Sequence, residues 1–109
     1  MKAAGHEMNG LISYYNHLHG TELKIPLMAL IDYRGYRLTA ISLLPIAKET
    51  IVYGSHDAAE TIHCSEEVSG WMKKLGEEMN IKGHIVGVKN KATIYGPADI
   101  EGKFLLNFL

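Results

Sequence analysis

Between residues 8 and 18 the apolar side chains Met8, Leu11, Ile12, Tyr15 and Leu18 recur at i, i+3, i+4, i+7 and i+10, the spacing of one helical face. With Gly20 as a C-terminal stop, this predicts a helix from about Ala3 to His19. The period then changes. Pro26 precedes Leu27-Met28-Ala29-Leu30-Ile31, an uninterrupted apolar run too short for a helix, which predicts a strand buried on both faces and ending at Asp32-Tyr33. After an Arg34-Gly35 turn, Tyr36 to Leu44 is β-branched and aromatic enough for a second strand, closed by Pro45, and the two should form a hairpin.

Shorter signals follow. Thr50 to Tyr53 and Thr61 to His63 read as brief extended pieces around a Gly54-Ser55-His56-Asp57 loop. Ser65 is placed to cap a helix whose Glu66 and Glu67 sit near its positive end and whose face is Val68, Trp71, Met72, Leu75 and Met79. Gly70 and Gly76 each weaken that helix by about 1 kcal/mol relative to alanine. Three β-like pieces close the chain: His84 to Val88, Ala92 to Tyr95 and Phe104 to Leu109, with Lys89-Asn90-Lys91 as a hairpin turn and residues 96–102 as a loop. The order predicts an α+β fold, two helices packed on a mainly antiparallel sheet, in a single domain over residues 1–109. The apolar end leaves an unfinished edge, which predicts either a piece of something longer or an edge, Phe104 to Leu109, that pairs with another chain, self-association being one such pairing.

Composition narrows the classes. A chain of 109 residues with a net charge of −1 supports one core and lacks the basic excess of a dedicated nucleic-acid module, so any polyanion contact must be local. The lone Cys64 excludes an internal disulfide and removes Cys-x-x-Cys zinc or redox chemistry, which fits a cytoplasmic setting. No apolar run approaches the roughly 20 residues of a membrane span, so membrane insertion is not expected.

Candidate chemistry is sparse. His17 and His19 project to different sides of a helix, and no spacing forces His56-Asp57 and His63-Cys64 to converge, so no metal site is expected. Cys64 reads as a small buried thiol rather than a nucleophile, because His63 beside it on an extended chain points the other way. Ser55 and Ser65 lack a nucleophile elbow, and neither glycine-rich phosphate motif is present, so neither a catalytic residue nor a cofactor is assigned. Asp99 and Glu101 are a carboxylate pair that could hold a cation or ligand, or simply solvate a turn. The most unusual feature is Asp32-Tyr33-Arg34-Gly35-Tyr36-Arg37. Arginine beside tyrosine stacks on bases and holds phosphates, which makes Asp32, Tyr33, Arg34 and Arg37 the candidate binding residues, with RNA or protein as partner. The competing reading is a turn with packed tyrosines and Asp32 paired to Arg34 or Arg37.

Four stretches carry a family resemblance: Leu30 to Arg37, Ser42-Leu43-Leu44-Pro45, Val52-Tyr53-Gly54-Ser55 followed by Thr61-Ile62-His63, and Tyr95 to Gly102. In order and spacing they resemble the central domain of the clustered mitochondria (CLU) family, and with residues 1–7 the likeness covers nearly the whole chain. It implies a cytoplasmic, non-enzymatic segment of a family of much larger proteins linked to mitochondrial distribution and to binding messenger RNAs of mitochondrial proteins. The chain departs after Gly102, where Lys103 to Asn107 replaces the family's histidine and its Gly-, Asp- and Arg-rich turn, with Asn107 where aspartate is usual. A basic residue at Lys2, a helix and a late Asp99-x-Glu101 also look like the layout of kinase-like phosphotransferases, which gives the alternative of a degenerate nucleotide- or metal-binding domain. Asn107 lacks the charge a hard cation needs, which argues against active phosphotransfer.

Overall fold

The computed structural model describes residues 2–97 and 99–105. The chain divides into two units, Met1–Leu44 and Pro45–Leu109. The α+β class holds, but the strands form three small antiparallel sheets rather than one.

In the first unit, helix α1 (Lys2–Tyr15) packs on a hairpin of β1 (Met28–Tyr33) and β2 (Tyr36–Ile41). Helix α1 is shorter than its periodicity predicts. After Ile12 the backbone tightens into i→i+3 turns, His17 N–H to Tyr14 O and Leu18 N–H to Tyr15 O, while the His17 ring meets the Ser13 carbonyl at 2.7 Å. Its half-buried positions include Ala4, Met8, Leu11 and Tyr14, whereas Ile12 and Tyr15 face solvent. The inward face is therefore rotated from the predicted one. Burial raises the Tyr14 phenol pKa above its ordinary value, and its hydroxyl has no hydrogen-bond partner among the described residues.

The expectation that Leu27 to Ile31 is buried on both faces fails. A two-stranded sheet with one helix against it can cover only one face, so Leu27 and Ile31 are exposed. Strand β2 also stops at Ile41, short of Leu44.

The second unit holds every buried hydrophobic residue among those described: Ile51, Tyr53, Ile62, Met72, Leu75 and Ile94. A short 3-10 turn (Lys48–Thr50) leads into β3 (Ile51–Gly54), which lies between β4 (His63–Cys64) and β7 (Glu101–Lys103). Helix α2 (Glu66–Met79) follows β4, and β5 (His84–Val86) pairs with β6 (Ala92–Ile94). The predicted terminal strand at Phe104 to Leu109 is displaced. Strand β7 begins at Glu101 inside the predicted loop, because Gly102 lets the chain pass close to Tyr53, and residues 106–109 lie outside the described residues. Phe104 is exposed just beyond the strand, its N–H bonded to the Thr50 carbonyl.

Ser65 is the N-cap residue of α2, but its hydroxyl makes no capping bond; its carbonyl accepts Ser69 N–H instead. The helix ends at Asn80 in the left-handed conformation, φ 57°, which asparagine tolerates. Its predicted face is correct, with Met72, Leu75 and Gly76 buried. Gly76 has a packing role that helix propensity does not reveal. A Cβ there would lie 2.9 Å from the Ile81 carbonyl oxygen and 3.2 Å from the Tyr95 ring, whereas a Cβ at Gly70 meets nothing.

The two glycines thus give opposite expectations. In chemical denaturation Gly70→Ala should raise stability by about 0.5–1 kcal/mol. Gly76→Ala should lower it, by about 1–3 kcal/mol.

Candidate interaction surface

The hairpin is fixed at its tip. Arg34 (φ 47°) and Gly35 (φ 80°) are both left-handed, the geometry of a two-residue type I′ loop whose twist matches the strands it joins. Glycine adopts it freely, while for Arg34 it costs about 1–2 kcal/mol. The loop sets a register of six opposed pairs, from Tyr33 with Tyr36 to Met28 with Ile41. Opposed residues share a face, so Asp32 and Arg37 lie on one side and Tyr33 and Tyr36 on the other.

The structure gives the two arginines different roles. Arg37 is engaged by Asp32 in a two-point pair, Nε donating to Oδ1 at 2.6 Å and Nη2 donating to Oδ2 at 2.9 Å. That bonding holds the Asp32 carboxyl below its ordinary 3.8 and Arg37 above its own usual value. The pair is solvent-exposed, so it fixes orientation more than it stabilises. Arg34 has no carboxylate partner among the described residues, and its guanidinium carbon lies 5.4 Å from the centre of the Tyr33 ring. Tyr33 is 61% and Tyr36 73% exposed. All four predicted binding residues, with Gly35 and Tyr36, border an open recess of about 390 Å³. Of the competing features, the Asp32–Arg37 pair forms, but the tyrosines do not pack away from solvent.

The second predicted pair is brought together elsewhere. Asp99 and Glu101 border a recess of about 400 Å³ with Ser55, His56, Ala58 and Ala59. Glu101 is half-engaged by Lys103 at 3.3 Å. Nothing in the spacing of His56 pointed to these carboxylates. The loop between β3 and β4 is held by its own polar groups: Ser55 Oγ donates to Asp57 Oδ1 at 2.7 Å and accepts Ala59 N–H at 3.0 Å, and Thr61 N–H donates to Asp57 Oδ1 at 2.9 Å. These bonds keep Ala58 and Ala59 left-handed, φ 55° and 65°. The Thr61 N–H, then the Ser55 hydroxyl, lower the Asp57 carboxyl to about 2.

His56 and His63 stack with ring centres 5.9 Å apart. No group of three or more His, Cys, Asp or Glu among the described residues is arranged to hold a metal ion. Cys64 is exposed, contrary to the buried thiol expected, because β4 lies at the sheet edge against β3 alone. The predicted phosphotransferase comparison at Asn107 lies outside the described residues. No helix among them is long and apolar enough to cross a membrane.

These features define a small α+β module whose most developed surface is an aromatic hairpin tip carrying one arginine without a carboxylate partner among the described residues. The clustered mitochondria family model matches residues 1–105, and the chain belongs to that family. It is 31% identical over 85 residues to a clustered mitochondria protein homolog of Caenorhabditis elegans, covering 69% of the chain and 7% of that protein. The corresponding Brugia malayi homolog is 30% identical over 89 residues, 77% of the chain and 6% of that protein. Protein clueless of Drosophila ananassae is 34% identical over 62 residues, 52% of the chain and 4% of that protein. The chain therefore spans less than a tenth of the length of these relatives. No solved structure matches it.

The β3–β4 loop supplies a pH prediction. A carboxyl depressed in the folded state contributes stability that is present above its unfolded value near 3.8 and is lost as pH falls through about 2. In an NMR pH titration the Asp57 side chain should titrate near 2, with the Thr61 amide shift following it. Asp57→Ala should remove that transition and raise amide exchange at Ala59 and Thr61.

Proposed function

We propose that this chain is a non-enzymatic interaction module of a clustered mitochondria protein, and that its hairpin tip touches single-stranded RNA. One observation carries the reading: Arg34 is a cation without a carboxylate partner among the described residues, displayed over Tyr33 at an exposed tip with Tyr36 beside it. A guanidinium plane and an exposed phenol ring are the groups on which an unstacked base lies, and the same guanidinium reaches a phosphate. Arg37 spends its charge and two of its five N–H donors on Asp32, so it orients the tip more than it meets the ligand. One available cation and a near-neutral chain make the contact weak by itself, suited to one element of a longer protein. A cytoplasmic location accompanies this reading, as does a role in mitochondrial organisation taken from the family's name.

A second reading rests on the other recess, where Asp99, Glu101 and His56 face one opening and would take a cationic ligand. It predicts magnesium-dependent amide shifts at Asp99 and Glu101 that Asp99→Asn abolishes.

Fluorescence anisotropy of a labelled mixed-sequence RNA at low and physiological salt separates the two arginines. Arg34→Ala should weaken binding about fivefold and reduce the slope of log affinity against log salt by about one. Arg37→Ala should change it less than Arg34→Ala does. Absence of binding at low salt, or a larger loss from Arg37→Ala, contradicts the assignment.

A further inference from the structure

The hairpin face that carries Tyr33 and Tyr36 at its tip continues towards the base of the ladder through residues that the RNA reading does not use. In the observed register Leu27, Ala29, Ile31 and Tyr33 of one strand and Tyr36, Leu38 and Ala40 of the other share one side of the ladder. None is charged, and every one is exposed: Leu27 is 81%, Leu38 54% and Ile31 43% exposed. The half-buried Met28, Leu30 and Thr39 lie on the opposite face. The bare side presents on the order of 600 Å² of largely apolar surface, at the upper end of what a monomeric soluble protein leaves uncovered.

The order of side chains along this face says what fits it. From the tip towards the base the opposed pairs run Tyr33 with Tyr36, Ile31 with Leu38, then Ala29 with Ala40, so the face tapers from large to medium to small in steps of about 6.8 Å. We propose that two copies of this chain pair through these faces about a two-fold axis that lies between the sheets, crosses the strands and passes at the level of Ile31 and Leu38. Each copy's tyrosine pair then seats over the alanine pair of the other, while Ile31 and Leu38 meet their own counterparts. Large over small at both ends and medium over medium at the centre keeps the two sheets near their usual separation of about 10 Å. An isologous interface requires this self-complementarity. None of the residues that meet is charged, and with Leu27 left at the margin, opposite the partner copy's turn, the pair removes on the order of 1,000 Å² from water, the low end for a specific association. The interface differs from the C-terminal edge at Phe104, and because it covers Tyr33, over which Arg34 lies, together with Tyr36, pairing competes with a base stacked at the tip.

Sedimentation velocity of the full chain across a dilution series tests the pairing. The mass should rise to two chains and stop there. Leu38→Glu sets two carboxylates against each other at the axis and should weaken the dimer at least about tenfold. Ala40→Tyr adds apolar area yet should also weaken it, because two large rings then meet. Combining it with Tyr36→Ala exchanges large and small and should restore the dimer. All three positions are exposed, and circular dichroism checks that each variant folds. The proposal is overturned by the mass of one chain at every concentration, by growth past two without a plateau, by a dimer indifferent to Leu38→Glu, or by tighter association in Ala40→Tyr.

Discussion

The register of the β1–β2 ladder is the constraint from which the surface follows. Side chains alternate across a strand, so a slip of one residue would move every side chain of one strand to the other face and split each opposed pair. Arg34 and Gly35 prevent it by closing the loop in two residues with both backbones left-handed. The ladder offsets the strain at Arg34, and the opposed Asp32 and Arg37 reinforce the same alignment. From this one alignment come the pairing of Arg37 with Asp32, the placement of Arg34 over Tyr33, and the uncharged face from Leu27 to Tyr33.

The second unit is organised differently, around a buried side chain and the glycines that let backbone approach it. Tyr53, 1% exposed, accepts the Tyr95 N–H on its hydroxyl at 2.9 Å, joining β3 to the chain beyond β6. Gly102 faces it across the β3–β7 ladder, where a Cβ would sit 2.9 Å from the Tyr53 Cβ. Gly54, left-handed at φ 86°, leaves room for the Ile100 carbonyl, and Gly87, φ 117°, does the same for the Asn90 carbonyl. Asn90 then bonds both the N–H and the carbonyl of Ile62, so an amide side chain substitutes for a strand neighbour. This framework holds the loops around Ser55, Asp57 and Glu101 where they are found.

Local signals were legible where neighbouring residues carry them. The hairpin, its turn and the face of α2 follow from period and turn chemistry, and the α+β class follows from their order. What failed depends on contacts made at a distance. The apolar letters of Leu27 to Ile31 are those of a strand covered on both sides, and only the sheet's small size shows that one side stays bare. The inward face of α1 turns on which of two adjacent tyrosines the hairpin covers, a choice that periodicity leaves nearly balanced. Strand β7 was hidden because glycine weakens a strand, and the close approach that favours Gly102 appears only once Tyr53 is placed beside it. Among the site residues, the hairpin could be named in advance because its unusual letters are contiguous. The different engagement of Arg34 and Arg37, and the shared recess of His56, Asp99 and Glu101, arise only once the chain is folded.

The most direct measurement is a nuclear Overhauser spectrum of the hairpin's α-protons in the 109-residue chain. In an antiparallel ladder with this loop the non-hydrogen-bonded pairs bring their α-protons together. The observed register predicts strong contacts between Asp32 and Arg37, Leu30 and Thr39, and Met28 and Ile41. Contacts displaced by one residue, such as Asp32 with Tyr36, would place Tyr36 and Leu38 on the face of Asp32, apart from Tyr33 and Ile31, and contradict the account of both surfaces.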